Sequence, residues 1–125
     1  MFRSIILAGL LLSVTACSSS YGNTPTNPTT QIPAGPTTVL VPNGAAGATA
    51  GPGFSPTPLT VAVGTTVTWG NNDGAQHTTT SDAAGWNLAL SPGATQTVKF
   101  DTPGTYAYHC SIHPTMTGTL VVVVP

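Results

Sequence analysis

The chain has 125 residues, and its two basic and three acidic side chains give a formal net charge of −1 at pH 7. So little positive charge argues against a protein that binds nucleic acid, because such a protein needs a basic patch to neutralise phosphates. It also argues against strong long-range electrostatic steering toward any partner.

The first segment, MFRSIILAGLLLSVTAC, has the pattern of an export signal. It has a basic residue at Arg3, an apolar run from Ile5 to Leu12, and then small residues. The apolar run is shorter than the roughly 20 residues that a transmembrane helix needs. Residues 1–16 are therefore predicted to be a cleaved signal peptide, so that the protein is exported.

The letters VTAC, which end at Cys17, resemble a bacterial lipobox. The resemblance implies cleavage before Cys17 and a diacylglycerol on its sulfur, which would anchor the protein to a bacterial membrane on the periplasmic or cell-surface side. An ordinary secretory leader that contains a cysteine is the alternative. If Cys17 carries a lipid, Cys110 has no cysteine to pair with. In an oxidising compartment such a thiol is protected by burial or by a bound metal.

The segment from residue 18 to about residue 38 is made of Ser, Thr, Pro, Asn and Gly, with almost no large apolar side chains. Such a segment cannot bury enough surface to offset the entropy lost on ordering. We interpret residues 17–38 as a lipidated cysteine followed by a disordered, extended tether. Once the leader is removed, Lys99 is the one basic side chain against three aspartates.

Residues 39–125 are predicted to form one all-β domain, because short apolar runs alternate with polar residues and no window has a helical period. The expected strands are Val39–Val41, Leu59–Val63, Thr66–Trp69, His77–Thr80, Val98–Phe100, Thr105–His109 and Gly118–Val124. The last strand is apolar on both faces, so we expect it between two neighbours. Residues 81–94 are expected to be mostly loop, with room for one short strand or helical turn. Seven to eight such strands predict a β-sandwich.

The stretch YHCSIHPTM, residues 108–116, concentrates the metal-binding chemistry of the chain. Cys110, His113 and Met116 follow one another at intervals of three residues. A thiolate, an imidazole and a thioether are ligands that suit copper. Along the preceding strand, alternation places Tyr108 and Cys110 on one face and His109 on the other, so His109 is the weakest ligand candidate.

A blue-copper site needs a second imidazole, and the remaining histidine is His77, at the start of a predicted strand. Taken singly, these residues have plainer interpretations as a surface histidine, a buried small hydrophobe and a core methionine. Taken together, they predict a copper site. The predicted ligands are His77, Cys110, His113 and Met116.

Two stretches closely resemble the cupredoxins, the blue-copper proteins, and most nearly their amicyanin, pseudoazurin and plastocyanin branch. They are FSPTPLTVAVGTTVTWGNNDGAQHTTTSD, residues 54–82, and PGTYAYHCSIHPTMTGTLVV, residues 103–122. The resemblance implies a Greek-key β-sandwich with copper at one end. It also implies that His113 reaches the surface through an apolar patch, for which Ile112 and Pro114 are the candidates. Several relatives have an asparagine after the first histidine ligand, where this chain has Thr78, whose hydroxyl could form a similar link to the ligand loop.

Four protein ligands around one type 1 copper leave no evident open position, which favours electron transfer over catalysis. We therefore expect a monomeric electron carrier, not an enzyme, that docks weakly through Ile112, His113 and Pro114. Its expected partners are redox proteins such as a c-type cytochrome, a dehydrogenase or a terminal oxidase or reductase. Two alternatives remain open: a periplasmic copper-binding or copper-delivery protein, and a metal-free, immunoglobulin-like interaction domain on a lipid tether.

Overall fold

The computed structural model describes residues 31–47, 53–83 and 85–125. The predicted signal peptide, Cys17 and most of the predicted tether lie outside these residues. In the part of the chain that the structure describes, no helix is long and apolar enough to cross a membrane. The elements are β1 (Thr38–Val41), a short 3-10 helix (Ala45–Gly47), β2 (Leu59–Ala62), β3 (Thr65–Asn71), β4 (His77–Ser81), β5 (Asn87–Leu90), β6 (Thr95–Phe100), β7 (Gly104–His109) and β8 (Thr117–Val123).

The strands form two mixed sheets, which confirms the predicted all-β sandwich. One sheet has the order β1-β3-β6 and the other the order β2-β8-β7-β4-β5. The β1–β3 and β2–β8 pairs are parallel, and the other pairs are antiparallel. β8 lies between β2 and β7, as its apolar faces predicted.

The core consists of apolar side chains from both sheets, and aromatic rings fill its centre. Trp69 lies on β3 of the smaller sheet, and its ring centroid is 5.7 Å from those of Trp86 and Tyr108. Trp69 and Tyr108 are fully buried, and Trp86 is 9% exposed. This agrees with the alternation along β3 and β7, which turns every second side chain toward the other sheet. These rings are therefore core packing.

β5 is the one strand that was not named from the sequence, and it lies within residues 81–94, which were expected to be mostly loop. It pairs antiparallel with β4, and Leu90 is the partner of His77. Leu90 is the one buried residue of β5, whereas Asn87 and Ala89 are exposed. Leu88 is half-buried against the core, so β5 does alternate, but a pattern of four residues between Gly85 and Pro92 is too short to be recognised in the sequence.

The described end of the predicted tether lies against the folded domain. The amide of Ile32 donates to Asn72 Oδ1 at 2.8 Å, and Asn72 Nδ2 donates back to the Ile32 carbonyl at 3.0 Å. A side chain on Gly70 would collide with Ile32, so Gly70 leaves the space that Ile32 fills. Thr38 already belongs to β1. Packed residues thus extend before residue 39, the predicted start of the domain.

Candidate metal centre

The four predicted ligands come from β4 and from the loop between β7 and β8. His77 is the first residue of β4, and Cys110 directly follows β7. These two strands are antiparallel neighbours, so the start of β4 lies beside the residues that follow β7. The loop then turns back on itself: the Cys110 amide donates to the Met116 carbonyl at 3.0 Å, and the Met116 amide donates to the His113 carbonyl at 2.9 Å.

The thiol and the two imidazoles of this set face one another. Cys110 Sγ lies 3.8 Å from His77 Nδ1 and 3.7 Å from His113 Nδ1. The ligand atoms of the three residues all lie within 4.8 Å of one another. Two donors about 2.0–2.3 Å from a shared ion, at trigonal angles, lie roughly 3.7 Å apart. The spacing of the sulfur from each nitrogen therefore matches that of donors around one metal ion.

Burial and chemistry indicate which metal this cluster suits. His77 and Cys110 are fully buried, Met116 is 3% exposed, and His113 is half-buried. Two imidazoles and a thiolate with a nearby thioether are the donors of a type 1 copper site, whereas magnesium and calcium need oxygen ligands. The residues present therefore fit a single type 1 copper.

A buried carboxylate holds the far side of the first histidine. His77 Nε2 is 2.9 Å from Asp73 Oδ2, which leaves Nδ1 toward the Cys110 sulfur. Asp73 also accepts the backbone N–H groups of Gly44, Ala46 and Gly74, at 3.0, 3.1 and 2.8 Å. Burial alone would raise the pKa of Asp73, but the hydrogen bonds from His77 and the three amides outweigh it and lower the pKa to about 2.

The turn that carries Asp73 is fixed by a fully buried asparagine. Asn71 Oδ1 accepts the Asp73 amide at 2.8 Å, and Asn71 Nδ2 donates to the carbonyls of Ala75 and Leu90, both at 2.8 Å. A buried side-chain amide with these bonds orders the turn between β3 and β4. Asp73 was not among the residues predicted from the sequence. The available signal was an aspartate four residues before a candidate ligand, since ligating histidines commonly donate their other nitrogen to a carboxylate.

Thr78 links the start of β4 to the ligand loop, and its hydroxyl forms the kind of link that the sequence comparison with cupredoxins made possible. Its Oγ1 accepts the Ser111 amide at 2.8 Å. Its own amide lies 3.3 Å from Cys110 Sγ and donates to the sulfur. An N–H donor stabilises negative charge on a thiolate. Thr78 therefore bridges the two parts of the chain that carry the cluster and also contacts the sulfur.

His109 lies outside the cluster, as the strand alternation predicted. Its Nδ1 is 2.5 Å from Asp82 Oδ1, and both side chains are partly exposed.

The residues predicted to form a docking patch do reach the surface beside the cluster. Ile112 is 49% exposed, Pro114 is exposed and His113 lies between them in the loop.

Comparisons with known proteins agree with this geometry. A family model described as a cupredoxin-like domain matches residues 8–122. The chain is 41% identical over 83 residues to a plastocyanin of Scenedesmus fuscus, and the match covers 55% of this chain and 85% of that protein. The structure of this chain is similar to that of a purple cupredoxin from Nitrosopumilus maritimus. The TM-score is 0.65, and the identity is 35% over 70% of this chain and 99% of the other. It also matches the Cu(I) form of an amicyanin variant, with a TM-score of 0.50 and 37% identity over 54% of this chain and 70% of the other.

Proposed function

The chain belongs to the family of the cupredoxin-like domain, and on that basis we propose that it is a blue-copper electron carrier. The observation that carries the proposal is a buried thiol that faces two imidazole Nδ1 atoms at 3.8 and 3.7 Å. The proposed ligands of the copper are His77, Cys110, His113 and Met116. Copper bound here would supply one-electron exchange between its Cu(I) and Cu(II) states.

The residues around the cluster favour a site that changes little when its charge changes. Asp73 fixes the tautomer and ring direction of His77, because it occupies the Nε2 side at 2.9 Å. Thr78 ties the strand that carries His77 to the loop that carries Cys110. Burial of the thiol and the first imidazole excludes water from that side. Ligands held in this way need little rearrangement on electron transfer, which favours a carrier over an enzyme that must admit a substrate.

We propose that partners dock on the loop surface formed by Ile112, His113 and Pro114. His113 is the ligand nearest the surface, and its half-buried ring offers a short path between the cluster and a docked partner. The candidate partners are redox proteins such as a c-type cytochrome, a dehydrogenase or a terminal oxidase or reductase. A patch this small supports weak, transient association. Because the chain carries so few charges, the association rate should change little with ionic strength.

We further propose that the protein acts at a bacterial membrane surface, held there by a lipid on Cys17. The proposal rests on the leader pattern and on the lipobox-like letters before Cys17. Expression of the full chain in a bacterium that processes lipoproteins tests it. The mature wild type should begin at Cys17 and carry the added mass of a diacylglycerol, and Cys17→Ser should lack that mass. A mature wild type without the added mass would contradict the lipid anchor.

A chelator competition, combined with voltammetry, separates an electron carrier from a copper-delivery protein. The copper-loaded wild type should give a reversible one-electron wave and retain Cu(I) against a Cu(I) chelator. His113→Ala should lose the reversible wave. His109→Ala is the matched control, because His109 is bonded to Asp82 outside the cluster, and it should keep both properties. Rapid transfer of Cu(I) from the wild type to the chelator would favour copper delivery instead.

A further inference from the structure

The side chain of Met116 packs directly against the backbone of Gly53. A Cβ atom built on Gly53 would lie 2.5 Å from Met116 Cε and 2.9 Å from Met116 Cβ, and closer still to Met116 Cγ. Carbon atoms in ordinary contact are about 3.5–4.0 Å apart. Any side chain at residue 53 would therefore occupy space that the methionine fills. Gly53 is buried, so this space is not open to solvent.

Met116 has little freedom to withdraw from such a collision. Its amide donates to the His113 carbonyl and its carbonyl accepts the Cys110 amide, so its backbone is bonded to two members of the cluster. It is 3% exposed, and β8 begins at the next residue. A displaced Met116 side chain would have to change rotamer within a packed interior, which costs free energy.

Gly53 is held in place by the residues that follow it. Ser55 forms two backbone hydrogen bonds with Leu40 of β1, at 2.7 and 2.8 Å. Phe54 is fully buried, and its ring centroid is 5.0 Å from that of Tyr108 in an edge-to-face contact. The segment that carries Gly53 is therefore bonded to one sheet and packed against an aromatic ring of the other.

The need for glycine at residue 53 is steric and not conformational. The glycines with positive φ among the described residues are Gly44, Gly64, Gly85, Gly93 and Gly104. Gly53 is not among them, so its backbone conformation is open to alanine. The contact with Met116 is the feature of this position that an added methyl group would disturb.

We infer that Gly53 is a positioning residue of the copper site and that its lack of a side chain sets where the Met116 thioether lies. The inference rests on the proposed function insofar as Met116 would supply the thioether ligand of the copper. In type 1 copper sites this weakly bound ligand tunes the reduction potential. The backbone at Gly53 would thereby set part of that potential, although it offers no ligand atom.

Gly53→Ala tests the redox consequence, with Gly47→Ala as the matched control. Gly47 lies in the same connection between β1 and β2 and has no positive φ, and no atom of the described residues lies within 4 Å of an added Cβ. After copper loading, Gly53→Ala should shift the reduction potential and alter the Cu(II) paramagnetic resonance spectrum. Gly47→Ala should match the wild type in both. A Gly53→Ala protein whose potential and spectrum equal those of the wild type would overturn the inference.

Unfolding of the metal-free protein tests the contact itself and does not depend on copper. Gly53→Ala should unfold at a lower denaturant concentration than Gly47→Ala. Met116→Ala removes Cγ and Cε but keeps the Cβ that would lie 2.9 Å from the added methyl group. Adding Gly53→Ala to that background should therefore cause a smaller further loss of unfolding free energy, but not a loss of zero. Equal losses in the two backgrounds would overturn the steric contact. If instead the wild type lacked a copper spectrum dependent on Cys110, the proposed function would fail, and this stability comparison would still decide the contact.

Discussion

Asp73→Asn should destabilise the metal-free protein by about 2 kcal/mol at pH 7. The structure lowers the pKa of Asp73 from its ordinary value of 3.8 to about 2, and each unit corresponds to about 1.4 kcal/mol. The folded-state pKa lies below the unfolded value, so this stability is present above about pH 4. It is lost as the pH falls from 3.8 toward 2. Asparagine keeps the shape of the side chain but not its charge.

Urea unfolding of the chelator-treated protein measures this difference. For a domain of this size we expect a slope of about 1–2 kcal/mol per molar urea, so the midpoint should fall by roughly 1–2 M at pH 7. The variant and the wild type should converge near pH 2, because a protonated aspartate resembles asparagine in charge and shape. Asp101→Asn is the control. Asp101 is 64% exposed, and its ion pair is with an exposed Lys99, so Asp101→Asn should lower the unfolding free energy by no more than about 1 kcal/mol.

Two results would contradict a stabilising charge on Asp73. One is an Asp73→Asn variant no less stable than Asp101→Asn at pH 7. That outcome would mean that the bonds to His77 and to the backbone amides add nothing beyond an exposed ion pair. The other is a deficit of the same size at pH 2 and pH 7. That outcome would mean that the loss comes from shape or packing and not from the charge of the carboxylate.

Three further variants test the packing and the loop contacts. Burial raises the pKa of Tyr108 to about 12, so its contribution to stability should be lost as the pH rises from 10 through 12. Tyrosinate absorbance, compared with Tyr108→Phe, should show no ionisation of Tyr108 near pH 10 while the protein stays folded. Gly118→Ala should lower the unfolding free energy by about 1–3 kcal/mol, because its Cβ would lie 2.6 Å from Tyr108 Cε2. A stability equal to that of Gly47→Ala would contradict this steric effect. Thr78→Val removes the oxygen that accepts the Ser111 amide, so its unfolding free energy, measured by denaturation, should fall by about 1 kcal/mol. Thr78→Ser keeps this oxygen, and an equal loss in that variant would argue against the bond.

The sequence was sufficient to predict the strands and the cluster where a short local pattern carries the information. Alternation along β7 placed Cys110 toward the core and His109 away from it, and the structure agrees. The loop positions of His113 and Met116 followed from their three-residue spacing. His77 could be added because few histidines were available and it began a strand.

The supporting contacts could not be predicted, because they join residues far apart in the chain. The amides that bond Asp73 come mostly from Gly44 and Ala46, 29 and 27 residues earlier. The packing of Gly53 against Met116 joins the β1–β2 connection to the loop between β7 and β8 and leaves no periodic pattern in the sequence. Ile32 was assigned to the polar tether from the composition of its neighbours. The two bonds that hold it against the domain are made with Asn72, 40 residues away, so local composition does not indicate them.

The spectrum of the protein after addition of one equivalent of Cu(II) tests the proposed copper site most directly. Visible absorption and electron paramagnetic resonance should be recorded for the wild type and for Cys110→Ala. We expect an intense visible band and a narrow copper hyperfine splitting in the wild type, both absent from Cys110→Ala, because both arise from the copper–thiolate bond. A pale wild-type spectrum with ordinary Cu(II) splitting, unchanged in Cys110→Ala, would contradict the proposed copper site.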